Sequence, residues 1–118
     1  MGSLEKPLSV PDFAKLCRER LGTSNLRFTD HGHTVDRVAV VGGEGSDFVL
    51  QIDPSVCYLT GEIKHHLYAE AVRTGRAVVT AGHHETEVVV LPRLAALLQK
   101  TWPDLPCTLF TEPAAGSL

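Results

Sequence analysis

A chain of 118 residues, 43% of them hydrophobic, is long enough to bury one continuous core and too short for two ordinary domains. Eleven lysines and arginines against 14 acids give a formal charge of -3, with neither sign gathered into a block, which sets aside nucleic acid and anionic membrane as partners. The longest apolar runs, such as Val38 to Val41 and Val88 to Leu91, fall far short of the roughly 20 residues that span a bilayer, and Met1 to Pro7 lacks the apolar stretch of a secretory signal, so the expected compartment is the cytoplasm.

The first four residues, MGSL, read as an added leader, and residues 1–7 are expected to be flexible. Ser9 is placed to cap a helix, with Asp12 three residues on as its capping-box partner and Phe13, Leu16, Cys17 and Leu21 at helical spacing. Gly22 ends it. Asn25 to Thr29 reads as a short strand, Asp30 to Thr34 as a polar turn, and Arg37 to Val41 as a buried strand broken by Gly42, Gly43 and Gly45. Phe48 to Ile52 suggests one helical turn and Val56 to Thr60 a strand ending at Gly61. Glu62 to Arg73 follows as a helix. Ala77 to Thr80 is the next strand, and a helical segment runs from about Thr86 to Lys100, with Leu94, Leu97 and Leu98 expected to face the core. Pro92 is best accommodated as the start of a fresh helix, where its missing N–H costs nothing. Cys107 to Thr111 reads as a closing strand, and residues 113–118 as a flexible tail. Strands and helices alternating in this way predict an α/β layer with a mixed or largely parallel sheet flanked by helices, in one domain over 1–118.

Cys17, Cys57 and Cys107 are odd in number and far apart, and read as small buried hydrophobes in a reducing compartment. The six histidines come as three close pairs, His31/His33, His65/His66 and His83/His84. The most informative segment is Ala81 to Glu87, AGHHETE, where His83 and Glu87 stand four apart on one face of a helical turn. An imidazole nitrogen and a carboxylate so placed are half of a metal site; the same spacing also describes a solvated surface pair or simple helix capping. His84 is out of phase with that pair and is placed near the site without being a ligand. Thr60 to His66, TGEIKHH, is a second strand end running into a helix, and Glu62, Lys64 and His65 or His66 are candidates to line the same mouth. Val41 to Ser46, VGGEGS, is either a sharp turn or a weak phosphate cradle, since it lacks both the GxGxxG and the Gly-Lys-Ser/Thr patterns. Asp30, His31 and His33 read as a mobile loop. No serine, cysteine or threonine stands in a nucleophile motif.

Taken in order, VAVVGGEGS (38–46), YLTGEIKHH (58–66) and VVTAGHHETE (78–87) resemble the C-terminal region of the Nif-three-like (NGG-one-interacting factor three) family, often described as GTP cyclohydrolase I type two. The resemblance runs from about Leu8 to Glu112. It implies half of an intertwined α/β fold, a homo-oligomeric ring, and two adjacent divalent metals (zinc, manganese or iron) bridged by a carboxylate. In that pattern the last two ligands fall on His83 and Glu87, with Glu87 as the bridge, and His66 falls near the site. The family's His-His-Pro block is missing here: His65/His66 and His83/His84 are followed by Leu67 and Glu85. The implied two-metal centre therefore needs a partner chain or a second copy to supply its other ligands. Two functions stay open: a metal-dependent hydrolase of a nucleotide-like small molecule once completed, or a non-catalytic oligomerisation module with an incomplete metal site.

Overall fold

Val78 and Val79, adjacent in sequence and both fully buried, mark a strand covered on both faces, because successive side chains of a strand point to opposite sides. The computed structural model describes residues 1–110. Its sheet is built from β1 (Gly2–Ser9), β2 (Arg27–Thr29), β3 (Thr34–Glu44), β4 (Cys57–Glu62) and β5 (Val78–Thr80), in the order β1-β3-β4-β5-β2. The three inner strands are parallel and each edge strand is antiparallel to its neighbour. Buried parallel strands are expected to be near-continuously apolar, as Val38 to Val41 and Ala77 to Val79 are.

One face carries α1 (Val10–Leu21), whose Val10, Phe13, Ala14 and Cys17 pack with Val38, Cys57 and Val79. The other carries α2 (His65–Arg73), whose Leu67 and Ala71 pack with Ala39, Tyr58 and Val78. The alternation along β3, β4 and β5 thus feeds two cores. Helix α1 begins as expected: Ser9 Oγ accepts from the Asp12 amide at 3.2 Å and donates to the Asp12 carboxylate at 2.7 Å. It ends at Gly22, with φ of 65°, the left-handed conformation glycine adopts at least cost.

Several expectations are corrected. Residues 1–7 are not loose; β1 pairs with β3 from Gly2 onward. Gly42 and Gly43 do not break β3. The strand passes through them as a bulge, with Gly43 at φ of 70° and pairing resumed at Glu44 opposite Glu62, which is the use a left-handed glycine has inside a ladder. Gly61 likewise does not end β4, which runs on to Glu62, and between β3 and β4 only Ser46–Phe48 is helical, as a 3-10 turn.

The chain divides into two compact units, Met1–Val88 and Val89–Leu118. In the first, the segment expected to start a helix at Thr86 starts it at His83, as α3 (His83–Val88). In the second, α4 (Leu91–Thr101) opens with Pro92 in its first turn, where the ring is tolerated. None of its residues is buried; Leu94 and Leu97, expected in a core, are 48% and 49% exposed. Residues 107–110 form no strand, and Thr111 and the tail 113–118 lie outside the described residues. No helix among the described residues is long and apolar enough to cross a membrane.

Candidate metal centre

The C-terminal ends of β3, β4 and β5 lie side by side, and open parallel sheets place their sites at such ends. Beyond β5 the ladder continues through the Ala81 amide to Thr60 O and the Gly82 amide to Gly61 O, both 2.9 Å. Gly82, at φ of 93°, then turns the chain directly into α3. Glycine is required beneath that helix for lack of space. A Cβ on Gly61 would lie 2.5 Å from Gly43 O and 2.8 Å from His83 Cα, and one on Gly42 would lie 2.9 Å from Thr86 O. Gly42, Gly43 and Gly61 are therefore the seat on which α3 rests. Thr86 fastens it: its Oγ1 accepts from the Gly43 amide at 3.0 Å and lies 2.8 Å from Gly82 O.

Seated there, His83 has a carboxylate at each ring nitrogen. Glu62 Oε1, from the end of β4, lies 2.7 Å from Nδ1, and Glu87 Oε1, one turn along α3, lies 3.3 Å from Nε2. Glu62, chiefly by its hydrogen bond, and Glu87 by its charge raise the His83 pKa above 6.5, against a smaller opposing effect of burial. Glu44 completes the acidic rim. Its carboxylate accepts from the Ser46 amide at 3.2 Å, and its pKa is lowered mainly by its hydrogen bonding to Ser46, with Lys64 and His83 adding charge. The His83, Glu62 and Glu87 side chains are 45%, 57% and 56% exposed, so this is an open rim.

Beside it lies a polar cleft of about 240 Å³ lined by residues that include Arg27, Glu62, His65, Tyr68 and His83. Of the second histidine pair it is His65 that reaches this cleft. His66 lies exposed on α2, where its charge lowers the pKa of Glu70 as a minor effect behind Arg73. His84 is exposed on α3 and takes no part in the contacts of His83. Glu44 and Thr86 were not singled out as site residues from sequence; they are brought in by the β3 bulge, which one-dimensional spacing does not reveal.

The glycine loop is not a phosphate cradle. Its Gly43, Gly45 and Ser46 amides are spent on Thr86 Oγ1, Glu62 O and the Glu44 carboxylate, and Tyr58 and Thr60 donate to the Gly45 and Gly43 carbonyls. Those three amides are thus not available to an anion. In the Asp30 to Thr34 turn, the Asp30 carboxylate accepts from the Gly32 amide and the His31 and His33 rings meet edge to face, 6.2 Å between centroids.

The family model Duf34/NIF3 (NGG1p interacting factor 3) matches residues 1–113. The chain belongs to this family. Among curated Duf34/NIF3-like relatives, the "GTP cyclohydrolase 1 type 2 homolog" of Pseudomonas aeruginosa is 36% identical over 89 residues, 74% of this chain and 35% of that protein. The homolog of the same name from Pyrococcus abyssi is 31% identical over 98% of this chain and 46% of its own length. The chain thus spans less than half the length of these relatives. Two solved structures share the fold at a TM-score of 0.80: Staphylococcus aureus protein SA1388, 24% identical, covering 98% of this chain and 40% of that one, and the protein ybgI, of unknown function, 27% identical over 96% and 47%.

The donor set fits a cation in part. Atoms bound to one zinc at roughly 2.0–2.2 Å stand about 3–3.5 Å apart, and His83 Nε2 and Glu87 Oε1 are 3.3 Å apart. Among the described residues, no group of three or more His, Cys, Asp or Glu side chains is arranged to hold a metal, because Glu62 and Glu87 stand at opposite nitrogens of one ring and do not converge.

Proposed function

We propose that this chain is a divalent-metal-binding part of a Duf34/NIF3 protein, contributing His83 and Glu87 to a metal centre completed by residues beyond it. The observation that carries the reading is the 3.3 Å approach of His83 Nε2 to Glu87 on a helix start held by glycine against two strand ends. His83 binds through Nε2 and Glu87 through its carboxylate, while Thr86 keeps both on the seated turn. Imidazole with carboxylate suits zinc, manganese or iron. When bound, such metals polarise a substrate oxygen and activate water, the chemistry of a hydrolase. Relatives named as GTP cyclohydrolase homologues support a nucleotide-like small molecule as substrate of the completed centre. The remaining ligands come from a second copy in a homo-oligomer or from a partner chain, and three free cysteines support a reducing, cytoplasmic setting.

The absence of a three-ligand group among the described residues favours a second reading, a non-catalytic oligomerisation module keeping a weak site. Metal content decides between them. The chain and its His83→Ala variant are exposed to zinc, manganese and iron, desalted and measured by inductively coupled plasma mass spectrometry. One or two metals retained per chain and lost in the variant is the expected result. Metal far below stoichiometry in both rejects an autonomous centre and leaves the module.

A further inference from the structure

We infer that Glu62 positions His83, holding its Nδ1 as the protonated nitrogen so that Nε2 presents its lone pair, beside Glu87, to a divalent cation. This rests on the metal-binding reading above. An ionised carboxylate only accepts hydrogen bonds, so in the 2.7 Å contact Nδ1–H donates to the Glu62 oxygen. The 3.3 Å contact on the other edge of the ring is long for a charge-assisted hydrogen bond. The two contacts thus divide the labour of one ring, Glu62 orienting and Glu87 sharing a ligand.

Glu62 is itself well placed to orient. Its carbonyl accepts the Gly45 amide at 3.0 Å and it pairs with Glu44 across the β3 bulge, so its backbone is fixed on the strand while its side chain stays half exposed. Glu44, the carboxylate at the end of β3 opposite Glu62, is engaged by the Ser46 amide. A carboxylate behind a metal-bound histidine fixes its tautomer and raises its basicity, and losing one typically weakens metal affinity about 10- to 100-fold.

The test uses the 118-residue chain with Glu62→Ala, Glu62→Gln and His83→Ala. Long-range nitrogen–proton NMR correlations of the His83 ring, recorded metal-free at a pH where the ring is neutral, read the tautomer directly. Nδ1–H is expected in the parent chain and in Glu62→Gln, whose amide oxygen still accepts, and a mixture or Nε2–H in Glu62→Ala. Zinc titration of the same samples should show affinity about 10- to 100-fold weaker in Glu62→Ala, a smaller loss in Glu62→Gln, and backbone spectra unchanged throughout. A parent chain with Nε2–H, or an unaltered tautomer in Glu62→Ala, overturns the role of Glu62. Zinc bound equally by His83→Ala overturns the metal reading instead, so the two failures are distinguishable.

Discussion

Gly61 and Gly43 lie under the same helical turn, yet substituting each has a different consequence. A methyl group on Gly61 meets backbone, Gly43 O and His83 Cα, and backbone cannot step aside. Overpacking of this kind costs about 1–3 kcal/mol, so Gly61→Ala is expected to lower the urea midpoint by that equivalent and to displace α3. A methyl group on Gly43 meets the Glu87 carboxylate, the far end of a flexible side chain, and lies 3.1 Å from His83 Nε2. With φ of 70° the substitution also carries roughly 1–2 kcal/mol of left-handed strain. The expected signature of Gly43→Ala is thus comparable destabilisation together with Glu87 pushed off His83, seen as lost zinc retention even where the chain remains folded. The approach of His83 to Glu87 was legible from spacing because a helix brings i and i+4 together whatever surrounds it. The contacts of Thr86 and Glu44 were not, since they depend on which strand ends become neighbours.

Among the elements, α1 was the most legible because its start and stop are written in side chains that act locally, Ser9 with Asp12 and then Gly22. Ser9→Ala should cost about 1 kcal/mol, checked by thermal or urea unfolding, with the site's zinc retention unchanged. Strands β3 and β4 were found but ended too early, since glycine reads as a breaker while a bulge or a buried close approach lets the ladder run on. Edge strand β1 was missed altogether: Glu5, Lys6 and Pro7 carry no strand signature, and the strand is held by the pairing of Gly2, Ser3, Leu8 and Ser9 with β3. The leucines of α4 do have helical spacing, and the helix forms. Spacing predicts amphipathicity but not burial, and Leu94 and Leu97 are exposed.

At the scale of the molecule, the core on the α1 face holds two thiols. Burial raises the Cys17 pKa to about 11 and, with Cys17 adding a smaller effect, that of Cys57 to about 12. At pH 8 a thiol-modifying reagent should label only half-buried Cys107 in the folded chain and all three cysteines in urea. The pH dependence follows in sign. The folded state keeps protons that unfolded cysteines release near their ordinary 9.0, so the stability gained from neutral burial is intact below pH 9 and declines as pH rises beyond it.

The two rims of the sheet differ from its middle in one further respect. A strand with a free side is a template onto which another chain can zip, and long, flat, apolar rims invite that growth. Here β2 is only three residues long. On the opposite rim, β1 loses register between Ser3 and Leu8, where Leu4 to Pro7 crowd against the single residue Asp36 and bring two charges and a proline that has no N–H to offer. Neither rim presents an unbroken row of peptide groups, which disfavours lengthening of this valine-rich sheet by strand addition.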